Sequence, residues 1–173
     1  MAPLTHLEVV TAPLVNHAMA HNGIRLVRQI TFVAGPAPVG PASSAGRAAP
    51  DISADGAIPD IVFTARLVDA HGTVLTRPWQ HHVDRIDPGG RVRLDNPDIT
   101  LDPAAIAGVD EETGADLIIE ASSAGQPLVA STTPMRVFAA RQWLVDPDAP
   151  LLSLELLAAF VQPNHPALGP LVA

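Results

Sequence analysis

Two histidines four residues apart, His17 and His21, are the first residues of the chain with the spacing of a metal site. If residues 12–21 are helical the two share a face, because side chains at i and i+4 are neighbours on a helix. The pattern goes no further. Ala18 stands where a zinc peptidase motif carries its glutamate, and no second pair completes the four ligands of a closed zinc site. The pair therefore reads as surface or half-buried histidines ahead of a turn. His81 and His82 are adjacent on an expected strand, so they point to opposite faces and cannot chelate together. Asp110-Glu111-Glu112 lacks the ligand spacing and the glycine of a calcium loop and reads as a solvated helix end. With no cysteine in the chain, disulfides, thiolate metal sites and thiol nucleophiles are excluded. No serine lies in a G-x-S-x-G elbow, and the two Ser-Ser-Ala-Gly strings, at 43–46 and 122–125, are turn-like. Without a single lysine a Walker A loop is impossible. No catalytic residue, metal ligand or cofactor is assigned.

Arginine is the remaining candidate. Arg91 and Arg93 lie two apart on an expected strand and so share a side; with Arg77 and Arg85 they are the candidate nucleic-acid contacts. Asp84, Asp87, Asp95 and Asp98 are interleaved with them, which predicts a neutralised surface. Trp79 and Trp143 are the only large stacking rings, and such residues serve more often as core or interface anchors than as platforms for bases.

The whole chain frames these residues. It has 173 residues, all ten of its basic side chains are arginine, and 18 acids bring the formal charge to −8. Residues 1–50 hold three arginines and one glutamate, 51–100 five arginines and eight aspartates, 101–173 two arginines and nine acids. The acidity argues against a phosphate-binding module, and any nucleic-acid contact falls to the first hundred residues. Hydrophobic residues at 47% and charged ones at 16% support a packed core of one domain. Residues 1–15 lack the cationic start and apolar stretch of a signal peptide, and no apolar run approaches a membrane span, so the expected location is the cytoplasm.

The elements follow from periodicity. Residues 5–10 alternate weakly. Asn22-Gly23 is a two-residue turn signal of the type that needs positive φ twice. Even positions from Ile24 to Ala34 form one mainly apolar face. Residues 35–59, rich in Gly, Pro, Ala and Ser, read as a long flexible loop. Residues 60–70 alternate cleanly, with Ile61, Phe63, Ala65 and Leu67 on one side. Residues 73–86 contain Pro78, which predicts an edge or bulged strand. Further strands are expected at 91–95, 115–122 and 128–139, with a turn at Gly125-Gln126 and a short helix from Asp102-Pro103 to about Gly114. About seven strands at short intervals with one short helix describe an antiparallel, immunoglobulin-like β-sandwich over residues 1–145 rather than a parallel α/β sheet.

Residues 146–161 read as a C-terminal helix with Asp148 as N-cap, apolar nearly all round, followed by a proline-rich tail to 173. A helix of that kind must be covered on more than one side. Leu152, Leu156, Leu157, Phe160, Val161 and the nearby Trp143 are the expected interface, against a following domain or a second copy of the chain.

Four short stretches carry a resemblance: Val15-Asn16-His17-Ala18-Met19-Ala20-His21-Asn22-Gly23 with the strand after it, Arg77-Pro78-Trp79, Leu101-Asp102-Pro103, and Glu155-Leu156-Leu157-Ala158-Ala159-Phe160-Val161 before Pro163-Asn164-His165-Pro166. Together the chain, apart from 35–59, resembles the N-terminal region of large bacterial, often actinobacterial, superfamily-1 DNA helicase–nuclease proteins, some linked to anti-phage defence. The resemblance implies a β-sandwich domain of unknown function ahead of the ATP-binding and nuclease motifs, none of which is present here. It implies a non-catalytic accessory module whose partners are the following domains of the same polypeptide or another protein, with DNA engaged only indirectly. A sensor that binds nucleic acid or a phage component, and a self-standing homo-oligomer, are the other expectations.

Overall fold

The computed structural model describes residues 5–12, 14–35 and 56–139. Residues 36–55 of the expected loop, the C-terminal helix at 146–161 and all six of its expected interface residues lie outside them. The described chain is mainly β and forms two sheets. One contains β1 (His6–Thr11), β3 (Val27–Val33) and β6 (Arg91–Asp95) in the order β1-β3-β6. The other contains β2 (Leu14–Val15), β4 (Ile58–Asp69), β5 (Trp79–Ile86), β7 (Thr113–Ser123) and β8 (Gln126–Val137) in the order β2-β8-β7-β4-β5. Two short helices, α1 (His17–His21) and α2 (Pro103–Ala107), sit in the connections.

Alternation makes the core. Ile61, Phe63, Ala65 and Leu67 of β4 are buried, and so are Leu117, Ile119 and Ala121 of β7 beside them. From the facing sheet Ile30 and Phe32 are fully buried. Phe32 meets Phe63 edge to face, with ring centroids 5.5 Å apart. This aromatic contact joins the two sheets at their centre.

Several expectations change once pairing is visible. The sandwich is not wholly antiparallel: β2 pairs β8 in parallel, Leu14 with Arg136 and Val15 with Val137. Asn22-Gly23 is not a hairpin turn. Asn22 has φ −88° and caps α1, while Gly23 alone takes the left-handed conformation at φ +60°. The N–H of Ile24 donates to the Met19 carbonyl and that of Gly23 to the Ala20 carbonyl, which is how a helix end commonly satisfies its last acceptors. In β3 the even-numbered face is interrupted: Thr11 of β1 pairs with Val27 but Val10 with Gln29. Arg28 is the extra residue of this bulge and turns to solvent, and Val27 takes the inward place. The strand expected at 73–86 begins only after Pro78, at Trp79, and β5 is an edge strand among the described residues. The helix at Asp102-Pro103 forms, with the Asp102 carboxylate accepting from the Ala104 N–H, but ends at Ala107 rather than near Gly114. Gly108 caps it, and the chain turns there to bury Val109. The loop expected to reach 59 yields to β4 at Ile58.

The hairpin between β7 and β8 turns on Ala124 and Gly125, not Gly125-Gln126; their φ values are +47° and +76°. Two positive φ angles in a two-residue loop suit the right-handed twist of the strands, but the Cβ of alanine is strained there. Ala124→Asn is therefore expected to stabilise the fold by about 0.5–1 kcal/mol. Urea unfolding measures it, and a destabilised variant refutes this reading of the turn.

Candidate functional site

Part of the chemistry-bearing set lies on the edge strand β5 and on β6. On β5, Trp79 and Val83 lean on the core while His81 between them is exposed. The Trp79 and His81 rings stack, with planes 9° apart and centroids 6.3 Å apart. His82 points to the other face of the sheet. Its Nε2 lies 2.6 Å from the Asp60 carboxylate of β4, and its Nδ1 lies 3.4 Å from Asp84. The two adjacent histidines thus face apart, as strand geometry requires, and each has its own neighbour. Asp60 itself adopts φ +49°, uncommon for a non-glycine residue in a strand. It lies where the alternation of β4 breaks between buried Ile58 and buried Ile61.

The four candidate arginines are placed as follows. Arg91 and Arg93 share the outer side of β6, since Val92 and Leu94 pack inward. Arg93 Nε donates to Asp95 at 2.8 Å, and Arg85 Nε on β5 donates to Asp87 at 3.2 Å. Arg77 precedes β5 and is exposed, its backbone N–H held by the Thr100 carbonyl. Two of the four guanidinium groups are therefore already matched by a carboxylate two residues on. These exposed pairs contribute little to stability, but they lower the local positive charge. Arg85 lies on β5 and Arg91 and Arg93 on β6 of the other sheet. Trp79 is placed as a partly buried anchor, and Trp143 lies outside the described residues.

The acidic run sits elsewhere. Asp110, Glu111 and Glu112 follow α2 and line an open cleft of about 310 Å³ with Asp69, His71 and Thr113. Arg136 of β8 closes on Glu112, its Nε donating at 3.0 Å. Among the described residues no group of three or more acids and histidines is arranged to hold a metal ion. Asp69 in the same cleft holds the backbone. Its carboxylate accepts the N–H groups of His71 at 2.9 Å and Thr73 at 2.8 Å, pinning the turn after β4. Burial pushes its pKa up, but hydrogen bonds from Thr73 and His71 and the charge of His71 outweigh that and hold it below the ordinary aspartate value. The unfolded chain then binds this proton at higher pH than the folded one, so Asp69 stabilises the fold above about pH 4 and that contribution fades as pH falls through the folded value. Asp69→Ala is expected to cost about 1 kcal/mol at neutral pH and to flatten the acid limb of the stability profile. Unfolding free energies from pH 2 to pH 7 check both; an unchanged acid limb removes the assignment.

The remaining histidine pair lies on α1. His17 and His21 rings are 4.5 Å apart, edge to face. Burial, and then the proximity of His21, lower the pKa of His17. Residues that the sequence reading did not single out are Asp60, Asp69 and Asn16. Asn16 is buried and accepts the Met19 N–H at 3.0 Å as N-cap of α1. Asn before a short apolar run was a usable signal; Asp60 had none, since its partner is 22 residues away.

No protein family and no curated protein matches the chain. Among solved structures it is similar to a Bacteroides fragilis protein titled "putative beta-galactosidase", at 9% identity and a TM-score of 0.32, over 74% of this chain. The chain spans 15% of that protein's length. No helix among the described residues is long and apolar enough to cross a membrane.

Proposed function

We propose that this chain is a non-catalytic interaction module, immunoglobulin-like in architecture, that belongs to a larger cytoplasmic DNA helicase–nuclease protein and engages its following domains or a separate protein. The observation that carries the interaction reading is the β5 edge. Eight residues, Trp79–Ile86, are paired on one side only among the described strands, and they carry the stacked Trp79–His81 pair. An edge of that length supplies backbone donors and acceptors for an added strand, and alternate side chains for selectivity. The helicase–nuclease context rests on the sequence resemblance, and the interface expected of Leu152, Leu156, Leu157, Phe160 and Val161, outside the described residues, belongs to the same reading. Purified chain assayed for ATPase, nuclease and ester or peptide hydrolysis is expected to be inert; robust turnover that survives repurification ends this proposal.

A nucleic-acid sensor is the second reading, favoured by Arg91 and Arg93 sharing the outer side of β6. The ion pairs of Arg85 and Arg93 weigh against it. Its mark is DNA binding that weakens steeply with salt. A homo-oligomer is the third, and sedimentation of the chain with and without residues 151–173 separates it from the first.

A further inference from the structure

We propose that His17 and His21 form a two-imidazole chelate for a divalent transition-metal ion, with water filling the remaining coordination positions. The sequence pattern discounted the pair because a closed zinc site needs four ligands. An open, two-ligand site needs only that the two imidazoles be held near one another and accessible, and that is what α1 provides. The pair lies on an actual helical turn, so the i, i+4 relation is real rather than conditional. Both ends of that turn are tied. Asn16 caps the start, and the Gly23 and Ile24 N–H groups close the end on the Ala20 and Met19 carbonyls. Ala18, Met19 and Ala20 are buried between the histidines, which fixes the helix face and leaves His21 exposed and His17 half-buried.

The rings already touch, at 4.5 Å between centroids and 67° between planes. Metal–imidazole bonds of about 2.0–2.1 Å place two ligand nitrogens roughly 3–4 Å apart. Rotation about the side-chain torsions reaches that separation from rings in contact, with no movement of the backbone. Imidazole nitrogen suits Cu²⁺, Ni²⁺ and Zn²⁺ and not Mg²⁺ or Ca²⁺, which take oxygen ligands. The expected order places Cu²⁺ first. With two protein ligands the ion exchanges readily, so the site is a place of reversible loading and not a structural staple.

The test uses the full, tag-free chain. Calorimetric titration with Cu²⁺, Ni²⁺, Zn²⁺ and Mg²⁺ is expected to show one ion per chain for the first three and none for Mg²⁺. His17→Ala and His21→Ala are each expected to weaken binding at least about tenfold, because the second imidazole acts at high effective concentration. Alanine keeps the helical turn, and circular dichroism verifies the fold. A chain carrying His81→Ala and His82→Ala is expected to bind as the parent does. Electron paramagnetic resonance of the Cu²⁺-loaded parent gives an independent reading, with two coordinated imidazole nitrogens expected. No binding, binding that survives either single substitution, or a spectrum with one nitrogen overturns the chelate.

Discussion

Phe32→Ala and Phe63→Ala are each expected to destabilise the fold by about 3–5 kcal/mol, the range for deleting a fully buried aromatic ring. Both rings are wholly excluded from solvent, and each comes from a different sheet. Removing either leaves a void bounded by strands whose backbone ladders resist collapse, so the cavity persists. The edge-to-face contact adds a pairwise part, expected at about 0.5–1.5 kcal/mol. The double variant should therefore cost less than the two single variants together by about that amount. Chemical denaturation of the four chains closes the cycle. Strictly additive losses would show that the rings act as independent core residues and not as a pair.

Gly90→Ala is the second expected large effect. The turn Asp87-Pro88-Gly89-Gly90 carries the chain from β5 in one sheet to β6 in the other. Gly90 donates its N–H to the Asp87 carbonyl at 2.8 Å, and its own carbonyl accepts from Ala34 at 2.9 Å. A Cβ on Gly90 would fall 2.7 Å from the Asp87 carbonyl oxygen and 2.9 Å from Ile86 Cγ2. The first contact is with backbone, which cannot rotate away, and the second is with a buried side chain at 4% exposure. A cost of about 1–3 kcal/mol follows from this overpacking. Pairing Gly90→Ala with Ile86→Val leaves both contacts in place, because valine keeps the γ carbon that the new Cβ meets, so the penalty should remain. A Gly90→Ala chain within about 0.5 kcal/mol of the parent by urea unfolding, the usual margin for neutral surface changes, would show that the turn can shift.

How far the site was legible depends on how local each feature is. That Arg91 and Arg93 share a side follows from a period of two, and the structure places both outside Val92 and Leu94. The facing-apart of His81 and His82 follows from the same rule. Their partners do not. His82 finds Asp60 only because β4 and β5 pair with Val62 opposite His82. Arg136 finds Glu112 only because β8 returns beside the start of β7, with Gly114 opposite Arg136.

The fold divides in the same way. The inward face of 61–67 and the capped helix start at Asp102-Pro103 are written in neighbouring residues, because periodicity and a side-chain cap act within a few positions. The bulge that turns Arg28 outward, the parallel seat of β2 against β8, and the division of β5 and β6 between two sheets are not. Each depends on which strand lies alongside, and that choice is made by packing between residues far apart in the chain. Asn22-Gly23 shows the boundary most clearly. The pair marks a reversal in any context, because glycine accepts positive φ at little cost. Only the burial of Ala18, Met19 and Ala20 against the core made the residues before it a helix, and so made the reversal a helix end instead of a hairpin.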